Sequence, residues 1–215
     1  MLGACFQALP GRLFVFCSFA FREGPSMPEQ FWLPGLAPQP VTSDHWFLAV
    51  LPPPEVAAEV VRRARDVRVA EGLRGRLITQ GCLHVTLHAV PQSHLVGARR
   101  AAVTAVEAPP FEIVFDCMMS FERTAGGRPV VLRASGALAE LEVFHGRLGS
   151  ALRGAGFRRK PASGFTPHMT LLYDRRLVRP RTVAPVRWMV REVVLVHSLV
   201  GQGRHEHLDR WPLRG

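Results

Sequence analysis

The sequence predicts an α+β protein built from two similar halves. Three observations carry that reading. Segments with strand-like alternation are interleaved with segments of helical period. The five-residue runs Leu83-His84-Val85-Thr86-Leu87 and Pro167-His168-Met169-Thr170-Leu171 echo each other across the chain. Finally, 215 residues with 47% apolar and 20% charged side chains suffice for one buried core, in one domain or two lobes sharing it.

Each element has its own signal. His45 to Leu51 is aromatic and apolar and stops at Pro52-Pro53-Pro54, a strand with a sharp end. Glu55 to Glu71 places Val56, Val60, Ala64 and Val67 at helical spacing among Arg and Glu. Leu83 to Val90 reads as a strand stopped by Pro91, and Ser93 to Glu107 as a second helix. Phe111 to Asp116 begins a strand that turns at Gly126-Gly127 into another at Pro129 to Arg133. Gly136 to Gly154 carries Leu138, Leu141, Leu148 and Leu152, a third helix. Pro167 to Tyr173 is a strand, Val186 to Ser198 a long one, and Arg204 to Trp211 pairs back after Gly201-Gln202-Gly203.

Within the two echoes the chemistry sits at every second residue. Alternate side chains of a strand share a face, so His84 lies beside Thr86 and His168 beside Thr170. None of the other seven histidines has this His-apolar-Thr-apolar context. Two such strands side by side present two imidazoles and two hydroxyls to one cleft. Imidazole titrates near neutrality and suits both proton donor and proton acceptor. The hydroxyls of Thr86 and Thr170 are placed to stabilise charge on phosphoryl oxygens. His88, two residues past Thr86, falls on the same face and is a possible substrate contact. The His84-x-x-x-His88 spacing would suit zinc on a helix, but Val85, Thr86, Gly81 and Pro91 favour a strand.

These motifs resemble those of the two-histidine (2H) phosphoesterase superfamily. Within it the chain most resembles the bacterial RNA 2′,3′-cyclic phosphodiesterases, also called the 2′-5′ RNA ligase family. The likeness includes His45 to Pro53, Leu83 to His88, Phe165 to Leu171 and Trp188 to Leu213, and so runs from about Asp44 to Leu213. It implies two pseudo-symmetric lobes, each a small antiparallel sheet backed by helices, with a central cleft. It further implies His84 as general acid toward the 3′ leaving oxygen and His168 as base toward water. The product would be a 2′-phosphomonoester, and reversal with an RNA 5′-hydroxyl would give a 2′-5′ linkage. From the residues alone the two histidines are interchangeable. Thr86 and Thr170 would bind the phosphate, and neither metal nor cofactor is expected. Two other readings share the site: hydrolysis of another small cyclic phosphate or cyclic oligonucleotide, and RNA binding without turnover.

The remaining features set the context. A formal charge of +10 suits a polyanion such as RNA with 2′,3′-cyclic phosphate ends. Only Lys160 among the 27 basic residues is lysine, so arginine-rich composition accounts for part of that charge. No apolar run reaches membrane-spanning length, and a monomer with no membrane partner is expected. Cys5, Cys17, Cys82 and Cys117 form no CxxC pair and fit a reducing cytoplasm. Residues 1–43 are expected to be a poorly ordered extension before the domain at 44–215, or else the true start is expected near Met27. The apolar Leu13 to Phe21 resembles a degenerate signal peptide, while the proline-rich Glu23 to Thr42 reads as a tail. Arg133, Tyr173, Arg175 and Arg176 lie near the predicted cleft. His197 and Ser198 fall in a closing strand, and His205 and His207 are expected to be exposed.

Overall fold

Elements form where the residue periods place them. In a computed structural model, residues 44–122, 127–157, 164–199 and 201–215 are described. The N-terminal extension, Cys5, Cys17, Lys160 and Gly126 lie outside them. Strand β1 (His45–Val50) is followed by helix α1 (Pro54–Ala70). Pro54 sits in the first turn, where its missing N–H costs nothing, and Ala57, Val60 and Ala64 form the buried face. Gly72, at φ +59, lets the chain leave this helix. A 3-10 turn at Gln80–Cys82 leads into β2 (Val85–Val90). Helix α2 (Leu95–Ala105) buries Ala98, Ala101, Ala102 and Ala105, a small-residue face that packs on α3 (Ala139–Gly154). Between them run β3 (Phe111–Ser120) and β4 (Arg128–Arg133), and after α3 come β5 (His168–Asp174), β6 (Arg181–Val190), β7 (Glu192–Leu199) and β8 (Arg204–Pro212).

The strands assemble into two four-stranded antiparallel sheets, ordered β2-β1-β7-β8 and β5-β4-β3-β6. Both motif strands, β2 and β5, are therefore edge strands. They approach each other where the sheets meet, and the connection before β2 bridges to β5 through Leu77 and Leu172. One continuous core runs from Leu48 and Val85 of the first sheet through Val60, Leu148 and Leu152 of the helices to Ile113, Leu132 and Leu172 of the second. A smaller cluster, Phe47, Ala49, Val194 and Val196, covers the other face of the first sheet.

The long strand expected over Val186 to Ser198 is two strands in different sheets. Their burial patterns explain the break. β6 is an edge strand with one buried face, so Val186, Trp188 and Val190 alternate with exposed residues. β7 is central and buried on both faces, so Val193 to Val196 are all buried. The period changes at Arg191, between them, and Pro185 fits only because β6 is an edge.

One carboxylate ties the connection between α1 and β2 to the end of β5. Asp174 is buried, and its Oδ2 accepts the backbone N–H of Arg74 and of Gly75, both at 2.7 Å. Its Oδ1 accepts the Arg176 N–H at 2.8 Å. Burial pushes its pKa up, but these backbone donors outweigh that and hold it below the ordinary carboxylate value. A Cβ on Gly75 would lie 2.0 Å from the Tyr173 carbonyl oxygen, so only glycine allows this approach. Asp174→Ala should lower unfolding free energy by about 2 kcal/mol, since three backbone donors lose a charged acceptor. Urea denaturation of the two proteins measures it; an unchanged midpoint and slope would contradict this role.

Candidate active site

The two motif strands carry the same irregularity at the same place. In β1–β2 pairing, Ala49 faces Thr86 and Leu48 faces His88, which leaves Leu87 as a bulge. In β4–β5 pairing, Val131 faces Thr170 and Val130 faces Leu172, leaving Leu171 as the bulge. An extra residue shifts the alternation that follows it. Ala49 lies with Phe47 on the outer face of the first sheet, whereas Leu48 belongs to the core. Thr86 therefore opens to the cleft and His88 turns toward the core. Each bulge leaves a carbonyl outside the ladder, and each finds a donor. The Ile78 N–H reaches the Leu171 oxygen at 2.8 Å, and the His145 ring hydrogen-bonds the Leu87 carbonyl.

The expectation for His88 is thus corrected: it does not line the cleft. Its Nε2–H donates to the His145 carbonyl at 3.0 Å, and the two rings stack at 4.2 Å. His145 in turn stacks on Phe165 at 3.8 Å. Gly149 of α3 makes room for this arrangement, because a Cβ there would lie 3.2 Å from the His88 ring. The repeat-equivalent residue in the second motif is Leu172, fully buried. His88 and His84 lie on opposite faces of a strand, so they do not form the zinc pair that a helix would give.

His84 and His168 are held identically. His84 Nδ1–H donates to the Cys82 carbonyl at 2.7 Å, and His168 Nδ1–H to the Thr166 carbonyl at 2.8 Å. In both cases the acceptor is two residues upstream, which fixes the proton on Nδ1 and leaves the lone pair on Nε2. An aromatic wall supports each ring. Phe47 stacks on His84 at 4.6 Å and Phe121 packs edge-on against His168 at 4.9 Å.

Burial pushes the His84 pKa down to about 4, with His205 and His168 lowering it further and the Cys82 carbonyl opposing. The strands of the two motifs, β2 and β5, approach each other where the sheets meet. His168 is also lowered, first by burial and then by Arg133, which pairs with it across β4–β5. Both rings are therefore neutral at pH 7 in the free protein. A bound phosphate anion reverses this, because a nearby negative charge favours imidazolium.

Of the other anticipated residues, Arg133 lies beside His168, and Tyr173 joins the cleft through the second bulge. In register, Tyr173 faces Pro129 and Thr170 faces Val131, alternate residues of β4, so both occupy one face. Thr170 is the hydrogen-bonding partner of the Tyr173 hydroxyl. The Arg176 guanidinium instead reaches the Gly72 carbonyl at 3.2 Å. His197 stacks on Trp46 and lies 3.1 Å from Asp44, a packing role away from the cleft. His207 is exposed, but His205 is not: it packs edge-on against His84 at 5.2 Å and Phe47 at 5.5 Å. Phe47, Phe121 and His205 carry no local sequence signal for this site, since only tertiary packing brings them to the motif histidines.

The 2′-5′ RNA ligase superfamily model matches residues 52–202, a span that includes both motifs. The chain belongs to the 2′-5′ RNA ligase superfamily. This makes it a phosphoesterase-family protein with the expected pair of pseudo-symmetric sheets. No curated protein matches it in sequence. Among solved structures it is similar to E. coli LigT complexed with 3′-AMP, with TM-score 0.64 and 22% identity over 80% of this chain and 99% of that one. It is also similar to the TT0787 protein of Thermus thermophilus, with TM-score 0.61 and 24% identity over 80% and 98% respectively. At such identity these superfamily relatives attest the shared fold.

Partly buried histidines predict an acid-sensitive native state for this superfamily member. His84, His145 and His205 are lowered from 6.5 to about 4, in each case chiefly by burial. Between those values the unfolded chain binds more protons than the folded one, so stability rises with pH. Their contribution is fully present above pH 6.5 and lost as pH falls toward 4. Melting temperature should decline from about pH 7 to about pH 4.5, and His145→Phe, which keeps a ring but no proton, should flatten the decline. A melting temperature independent of pH over that range would contradict it.

Proposed function

We propose that this protein hydrolyses RNA 2′,3′-cyclic phosphate ends to 2′-phosphomonoesters. The observation that carries the reading is the matched anchoring of His84 and His168, with both Nε2 atoms left for one substrate. Opening the cyclic ester needs a base to take a proton from water and an acid to protonate the departing ribose oxygen. Paired imidazoles in one site meet both needs, and the four oxygens of the phosphodiester sit between them.

In this mechanism His168 Nε2 takes the water proton as the oxygen attacks phosphorus. His84, protonated once the phosphate anion is bound, delivers its proton to the 3′ oxygen. Thr86 and Thr170 donate hydroxyl hydrogen bonds to the non-bridging oxygens, where charge builds. Arg133, beside His168, adds positive potential for an anionic substrate. The same groups run in reverse would join an RNA 5′-hydroxyl to the cyclic phosphate and form a 2′-5′ linkage. Family membership supports phosphoester chemistry, and the formal charge of +10 supports an anionic substrate such as RNA; the enzyme is read as a cytoplasmic monomer.

The test is hydrolysis of a short RNA ending in a 2′,3′-cyclic phosphate. His84→Ala and His168→Ala should each lower kcat by about 10²–10⁴-fold. Because both histidines titrate below 6.5 in the free protein, kcat/KM should peak on the acid side of that value. The kcat profile should lie at higher pH, since bound phosphate raises the acid's pKa. Turnover that survives either substitution would overturn the two-histidine mechanism, and none by folded wild type would overturn the substrate.

A further inference from the structure

The two half-sites are not equivalent, and the difference lies in the ring that packs on each motif histidine. His168 meets Phe121, which follows β3. His84 meets His205 of β8, at 5.2 Å and 63°. Register puts His205 on the cleft face: it pairs with Ser198, which pairs with His45, two residues before Phe47. The His168 side thus has the hydrocarbon ring of Phe121, and the His84 side has Phe47 plus a second ring that carries hydrogen-bonding nitrogens.

The His205 Nδ1 is buried and has no hydrogen-bond partner among the described residues. A buried bare N–H is rarer and costlier than an unused lone pair, so Nδ1 carries the lone pair and Nε2 the proton. Charging the ring would place an unsatisfied N–H in that buried position. The surroundings oppose charging as well. His84 and His207 face it as further imidazoles, Phe47 is apolar, and the neighbouring Glu206 carboxylate is engaged by Arg204 at 2.9 Å. The His84 and His205 rings are both lowered to about 4 in the free protein. His84 Nδ1–H, however, has the Cys82 carbonyl as acceptor, while a charged His205 would bury an unpaired N–H, so a bound anion protonates His84 and not His205.

We propose that His205 is a third imidazole of the active site, a neutral Nε2–H donor to a phosphoryl oxygen on the His84 side. It stabilises transition-state charge without titrating, and its ring holds His84 against Phe47. The proposal rests on the phosphoesterase reading above. A neutral donor beside the acid adds a hydrogen bond without a third positive charge, which would otherwise depress the His84 pKa further.

His205→Phe keeps an aromatic wall, as Phe121 does opposite, and removes the donor. His205→Gln restores an N–H. Hydrolysis of a 2′,3′-cyclic nucleotide, measured from about pH 5 to about pH 8, and binding of 2′-AMP by calorimetry would be compared with wild type. We expect His205→Phe to lose about 10²-fold in kcat, the usual effect of one oxyanion donor, with the shape of the pH profile unchanged. It should also bind 2′-AMP more weakly, and His205→Gln should recover part of both. Unchanged kcat and binding in His205→Phe would reduce the residue to packing and overturn the proposal. Loss of one limb of the pH profile would make it a proton-transfer group and overturn it equally. If wild type binds 2′-AMP but does not turn over the cyclic nucleotide, the cyclic-phosphate reading fails. Weaker 2′-AMP binding by His205→Phe then still supports the donor, and equal binding overturns it. A wild type that does neither overturns both.

Discussion

A single backbone constraint organises the site: the bulge that follows each motif threonine. Regular strands would send His88 to the same face as His84 and Thr86, and would send Tyr173 away from Thr170. The extra residues Leu87 and Leu171 reverse both outcomes. Each motif strand then serves two environments, a polar half facing the cleft and an apolar half completing the core. The carbonyls freed at the bulges are taken by Ile78, on the connection before β2, and by His145 of α3. Positioning of the two motif histidines is thereby tied to interlobe packing and not to either sheet alone.

Electrostatics follow from that placement. Both motif histidines sit where burial keeps them neutral, with their Nδ1 atoms bound to carbonyls and not to carboxylates. Carbonyl acceptors fix ring orientation while perturbing basicity less than an anion would. Under the proposed mechanism the charge that creates an imidazolium arrives with the substrate, so proton transfer would depend on a bound anion. Water and neutral ligands leave the pair as two bases. A bound phosphate makes one of them an acid, which fits a site selective for phosphoesters.

Much of this was legible in the residues. Period-two alternation placed β1, β2 and β5 within a residue or two of their observed ends, and Val60, Ala64, Leu141, Leu148 and Leu152 proved buried where helical spacing put them. The His-x-Thr spacing put each pair on one face because the bulge lies just beyond it. What alternation could not foresee was the bulge itself, since Leu87 and Leu171 look like ordinary core residues. His88 was misplaced for that reason. The merged reading of β6 and β7 failed because an apolar run does not announce which sheet it joins. His205 was missed because its partners, Phe47 and His84, are distant in sequence and meet it only through β7.

The central claim is that His84 and His168 act on one phosphate from matched tautomers. Nitrogen-15 NMR of the histidine rings during titration with 2′-AMP tests it most directly. Protonated Nδ1 and bare Nε2 are expected for both residues in the free protein near neutral pH. Both Nε2 resonances should then move together, saturating at one ligand per chain. Opposite tautomers in the free protein, or a response confined to one of the two rings, would contradict it.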